Sequence, residues 1–123
     1  MAAYSVKLTK LIQEYHLEKI WVPEDLDEIA IGTVELNRPG LQFAGFYKYF
    51  DPERIQIIGK SEFGYLGGFS KEKRFEMVDA YFSKRPKVVI TTWNLTASQE
   101  ILDLAEKYAV PILRTSEGTS EFM

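Results

Sequence analysis

Two short apolar runs, residues 87–91 and 111–114, bracket a segment of helical periodicity, and this arrangement constrains the fold more than any other feature. Within residues 96–108, Ile101, Leu104, Ala105 and Tyr108 recur at the spacing that lines one face of a helix. Thr96 and Gln99 stand at capping-box spacing and give that helix a start. Strand, helix and strand of these lengths join as a parallel pair through a right-handed crossover. The expected fold class is therefore α/β, a small mixed, largely parallel sheet flanked by helices.

The rest of the chain supplies further elements. Leu8, Leu11, Ile12 and Tyr15 fall at i, i+3, i+4 and i+7, so residues 5–15 read as an amphipathic helix capped by Ser5. A strand over 18–22 follows, broken by Pro23, and a second over 29–36. The latter stops at the turn Asn37, Arg38, Pro39, Gly40, where proline fixes φ and glycine tolerates a positive one. Residues 41–50 are aromatic, and their pattern leaves helix and loop open. Asp51 and Pro52 start one helical turn before a strand over 54–58. Ser61 could cap a short helix, weakened by Gly64, Gly67 and Gly68. Ser70 caps a better one, with Phe75, Val78 and Phe82 inward, ending before Pro86. There are no internal repeats, low-complexity stretches or linkers.

Composition narrows the chemistry. A chain of 123 residues with 46% hydrophobic content buries one ordinary core, so a single domain over 1–123 is expected. The absence of cysteine excludes disulfides, thiolate metal sites and thiol nucleophiles. One histidine, His16, forms no metal cluster alone and is read as structural. No apolar run approaches the roughly 20 residues that span a bilayer, and no export signal stands at the start. A cytoplasmic location without membrane partners is the expectation, which makes the sequon Asn94-Leu95-Thr96 meaningless. With 15 basic and 18 acidic residues the net charge is −3, against nonspecific nucleic-acid binding. Lys71, Lys73, Arg74, Lys84, Arg85 and Lys87 are offset by Glu72, Glu76 and Asp79, as on a solvated helix face. Glu24, Asp25, Asp27 and Glu28 lack the spacing of a calcium loop.

Gly59, Lys60 and Ser61 follow an apolar run, as in a nucleotide-binding loop. Such a loop needs an earlier glycine at position 54, so that backbone N–H groups curl around phosphate. Arg54 stands there, and Ile55, Gln56, Ile57 and Ile58 read as a strand. The phosphate-loop reading fails.

What the stretch resembles is the N-terminal domain of HPr kinase/phosphorylase. The resemblance rests on the turn Asn37 to Gly40, on Ala44-Gly45-Phe46, on Glu53-Arg54-Ile55-Gln56 and on Gly59-Lys60. Residues 110–116 resemble the last strand of that domain, and Thr119 and Ser120 its following polar turn. One departure is Trp93, close to where the family usually carries an arginine. The resemblance also implies likeness of fold to the N-terminal domain of the Mur ligases. It implies a parent that phosphorylates a serine of HPr with ATP or pyrophosphate and magnesium, and reverses the reaction, in carbon catabolite regulation. That chemistry belongs to a C-terminal phosphate-loop kinase domain, which this chain lacks. The chain is thus expected to be a non-catalytic regulatory or assembly domain, with no catalytic residue, cofactor or metal of its own. Its implied partners are that kinase domain, further copies of the parent, and HPr as the parent's substrate.

A different class of reading starts from the strand ends. Lys60, Thr91, Thr92, Arg114, Thr115 and Ser116 supply cations and hydroxyls where open α/β sheets place ligands. They suit a small anion or, in the Mur-ligase manner, a nucleotide sugar. The plain reading is solvated strand ends whose hydroxyls satisfy turn backbone. For Arg38 the expectation is a salt bridge that pins its turn. The aromatic stretch around Tyr47 is expected to serve a core or subunit interface. A free-standing domain with its own partner is the third option.

Overall fold

The computed structural model describes residues 6–32, 36–48, 50–92 and 98–116. The elements in chain order are β1 (Val6–Lys7), α1 (Leu8–Glu14), β2 (Glu18–Trp21), a 3-10 turn (Leu26–Glu28), β3 (Ala30–Ile31) and β4 (Leu36–Asn37). Then come α2 (Gly40–Phe43), β5 (Ile55–Ile58), α3 (Lys60–Gly67), α4 (Lys71–Ser83), β6 (Val89–Thr91), α5 (Gln99–Tyr108) and β7 (Ile112–Arg114). Five strands form one sheet in the order β2-β7-β6-β5-β4, with β1 and β3 paired separately. Strands β4 to β7 run parallel, and β2 joins the edge antiparallel to β7. This is the expected mixed, largely parallel sheet.

Side chains alternate across a strand, and the register makes each face a continuous apolar layer. Ile57, Ile90 and Leu113 stand in one row and pack with Leu8 and Ile12 of α1, Leu26 and Ile31. Ile58, Val89 and Ile112 point the other way, into Phe43 of α2, Leu66 of α3, Val78 and Phe82 of α4, and Leu104 of α5. Covered on both faces, the central strands read as largely apolar runs, broken in β5 by Gln56.

Several elements differ from the sequence reading. Val6 and Lys7 pair with Ile31 and Ala30, so α1 begins at Leu8; Ser5 lies outside the described residues. Leu8 and Ile12 are buried, whereas Tyr15 is at the C-cap and 56% exposed. The strand expected over 29–36 is two pieces with different partners, Ala30–Ile31 on β1 and Leu36–Asn37 on β5. Asp51 and Pro52 form a turn without a helix, in which Asp51 Oδ1 accepts the Glu53 N–H. Helix α3 runs for eight residues despite its glycines and starts at Lys60, with Gly59, not Ser61, as N-cap.

Ser70 does cap α4, accepting the Lys73 N–H. The buried face of α4 is centred on Met77, Val78, Tyr81 and Phe82, which leaves Phe75 at its margin and 44% exposed, not inward. Helix α5 begins at Gln99 with Ser98 as cap, and Thr96 falls outside the described residues. His16 is exposed, in a left-handed turn at φ 54.

Candidate functional site

Because β4 to β7 are parallel, their carboxyl ends share one edge of the sheet. Ile58, Thr91 and Arg114 occupy a single row across β5, β6 and β7. That row brings the candidate anion residues to the same edge, Lys60 included, since β5 lies directly beside β6. Sequence alone does not place β5.

The edge is nevertheless closed rather than cupped. Thr91, Thr92 and Thr115 are buried at 2%, 0% and 5% exposure. Thr92 N–H donates to the Ile58 carbonyl at 3.2 Å and Thr115 N–H to the Thr91 carbonyl at 2.9 Å, lacing the three ends together. The Thr91 hydroxyl donates to the Leu113 carbonyl at 3.4 Å. Arg114 forms an ion pair with Glu18, its register partner on β2, and its Nε–H is buried without a hydrogen-bond acceptor. Lys60 is the first residue of α3, exposed, and Ser116 is exposed. The parallel strands also follow chain order without reversal, so they contain no switch-point crevice of the kind that holds ligands in open sheets.

At the start of α3 the chain provides its own anion. A helix N-terminus presents unpaired N–H groups and a positive dipole end, and attracts negative charge. Here Glu62 Oε1 accepts the Gly59 N–H at 2.6 Å, and the same atom accepts from Arg38 Nη2 at 3.0 Å. Glu62 is 6% exposed. The salt bridge expected of Arg38 is present, and it ties the Asn37–Gly40 turn to α3. Among the described residues no group of His, Cys, Asp or Glu is arranged to hold a metal ion.

The turn's second anchor is a buried amide network. Asn37 Nδ2 donates to Gln56 Oε1 at 2.7 Å and to Gln42 Oε1 at 3.1 Å. The Tyr81 hydroxyl donates to the same Gln56 oxygen at 2.9 Å. Gln56 Nε2 reaches the Arg54 carbonyl, and Gln42 Nε2 the Phe46 carbonyl. Asn37 and Gln56 are opposite one another in the β4–β5 ladder, so strand register places the two amides together. Burial pushes the Tyr81 hydroxyl pKa well above its ordinary value, and Tyr47 and Glu62 nearby push it the same way.

Sequence reasoning missed Gln42, Gln56, Glu62 and Tyr81. Two signals were visible: Gln56 interrupts an apolar strand, and Glu62 stands three residues after Gly59, at capping distance.

The aromatic segment serves mainly as packing. Phe43 and Phe50 meet the Tyr81 ring at centroid distances of 5.0 and 5.8 Å. Phe46 and Leu41 remain 44% and 63% exposed. Beside them, Phe43, Tyr47, Tyr65 and Phe69 wall a cleft of about 400 Å³.

The geometry is thus of a pinned scaffold, with no phosphate cradle among the described residues. The sequence profile of the family described as HPr Serine kinase N terminus matches residues 6–123. The chain belongs to that family. An HPr kinase/phosphorylase of Caldicellulosiruptor bescii is 40% identical over 114 residues, covering 93% of this chain and 37% of the relative. One from Clostridium perfringens is 40% identical over 118 residues, covering 96% and 38%. The chain therefore spans less than two fifths of the length of these HPr kinase/phosphorylases.

Among solved structures, the CBS and DRTGG domains of the regulatory region of a Clostridium perfringens pyrophosphatase, complexed with diadenosine tetraphosphate, superpose with a TM-score of 0.63. At 16% identity, covering 94% of this chain and 43% of that one, the likeness is one of fold. The family departure at Trp93 and the polar turn at Thr119 and Ser120 lie outside the described residues. No helix among those described is long and apolar enough to cross a membrane.

Proposed function

We propose that this chain is the non-catalytic N-terminal domain, regulatory and assembly in role, of a cytoplasmic bifunctional HPr kinase/phosphorylase. The parent enzyme phosphorylates a serine of HPr with ATP or pyrophosphate and magnesium and removes the phosphate again, in carbon catabolite regulation. The observation that carries the reading is the family match over residues 6–123. The absence of a phosphate cradle at the β5–α3 turn agrees with it, because the Gly59 N–H is already held by Glu62. Phosphoryl transfer depends on positioning and charge neutralisation by such a cradle and its metal, so those parts belong to a kinase domain in the same parent chain. Homo-oligomers of the parent, with exposed Leu41, Phe46 and Tyr65 available for contact, complete the proposal.

The test uses the purified chain with HPr, magnesium and ATP or pyrophosphate. No phosphoserine is expected from the chain alone. Covalent fusion to the kinase domain of the Caldicellulosiruptor bescii relative is expected to restore that domain's native oligomeric state and activity. Phosphorylation by the chain alone, or a fusion no different from the bare kinase domain, overturns the reading.

A second reading keeps a weak anion subsite at the sheet edge, with Arg114 as its cation and Lys60, Thr91, Thr92, Thr115 and Ser116 around it. The observation favouring it is the buried Arg114 Nε–H that lacks an acceptor.

A further inference from the structure

We draw no further inference here: the strongest candidate, the aromatic cleft between α2, α3 and α4 walled by Phe43, Tyr47, Tyr65 and Phe69, is an unpartnered apolar surface whose rim residues Lys73 and Glu76 single out no ligand, and nothing in the structure shows what covers it.

Discussion

Glu62 Oε1 accepts the backbone N–H of Gly59 at 2.6 Å, so a carboxylate three residues along the chain sits where a nucleotide-binding loop would hold phosphate. A Gly-Lys-Ser sequence between a parallel strand and a helix has the local grammar of such a loop. What differs is that Arg54 replaces the earlier glycine, residues 55–58 are strand instead of cradle, and a carboxylate holds the Gly59 N–H. The bond is charge-assisted and buried, and the same oxygen accepts from Arg38, which joins α3 to the turn after β4. The structural consequence is a tie between α3 and the turn after β4, and the functional one is that the Gly59 N–H at this helix start is already taken.

Replacing Glu62 by alanine leaves the Gly59 N–H buried without a partner and Arg38 without its counter-ion. The expected cost is about 2–3 kcal/mol, with Glu62→Gln, which keeps an acceptor oxygen, costing about half as much. Arg38 is 40% exposed, so its share is discounted for solvent screening. Urea unfolding of the two variants checks this; an alanine variant as stable as the parent chain would show that the Gly59 contact does not hold α3.

Gln56 gives a test with an unexpected sign. Changing it to leucine makes β5 uniformly apolar, which by area alone favours burial. The change strands the Tyr81 hydroxyl and one Asn37 N–H bond, both of which end on Gln56 Oε1. A loss of about 2–3 kcal/mol is expected, against about 1 kcal/mol for Tyr81→Phe, which removes one donor and leaves Asn37 in place. Equal or raised stability of Gln56→Leu in chemical denaturation would refute the network's role.

The parallel sheet and α5 were legible because period and flanking turns agree: Ile101, Leu104 and Ala105 are all buried, and Val89 and Ile112 lie in the core. Short edge elements were not. Val6 and Lys7 fall within the helix expected over 5–15 yet form a strand, because Ala30 and Ile31 offer backbone partners that no local spacing reveals. The strand over 29–36 divides for the same reason. At the candidate site, residue types picked out positions that share one edge of the sheet. They could not show that Glu18 lies opposite Arg114, or that Glu62 pairs with Arg38 beside it, since these pairings depend on strand register and helix start. Gln56 was legible as an oddity, but its partners come from β4, α2 and α4.

Stability should fall on the alkaline side. Burial raises the hydroxyls of Tyr81 and Tyr47 above the ordinary phenol value of 10.0. The unfolded chain therefore releases these protons first, and native stability, fully present below pH 10, is lost as pH rises through the folded values. Lys107, raised by its hydrogen bond to Tyr108 and by Asp79, acts in the same direction, since its ion pair disappears on deprotonation. Thermal unfolding between pH 7 and 11 should show a flat region followed by a decline, shallower in Tyr81→Phe. A Tyr81→Phe curve parallel to that of the parent would contradict this assignment.

Ala109 follows α5 at φ 56 and ψ 44, a left-handed conformation in which its backbone N–H caps Ala105. For a residue with a Cβ that geometry costs about 1–2 kcal/mol, partly offset by the greater unfolded-state entropy of glycine. Ala109→Gly should therefore raise stability by about 0.5–1 kcal/mol. The midpoint of urea unfolding reads the change, and a lower midpoint counts against the assigned conformation.

The sheet-edge anion reading makes its own demand on Glu18. Arg114 and Glu18 form an ion pair with side-chain exposures of 25% and 55%, so an added anion must compete with a carboxylate already in place. Removing that competitor by Glu18→Gln leaves the fold's apolar layers untouched and frees the guanidinium. A partly exposed pair is worth at most about 1 kcal/mol, which converts to roughly a fivefold gain in affinity. Pyrophosphate titration followed by amide NMR should move Thr91, Thr92, Thr115 and Ser116 at millimolar concentrations in the parent chain. The same shifts should appear at several-fold lower concentration in Glu18→Gln and vanish in Arg114→Ala. Shifts insensitive to both substitutions, or none by about ten millimolar, remove the subsite and leave Arg114 as the tie between β7 and its antiparallel neighbour.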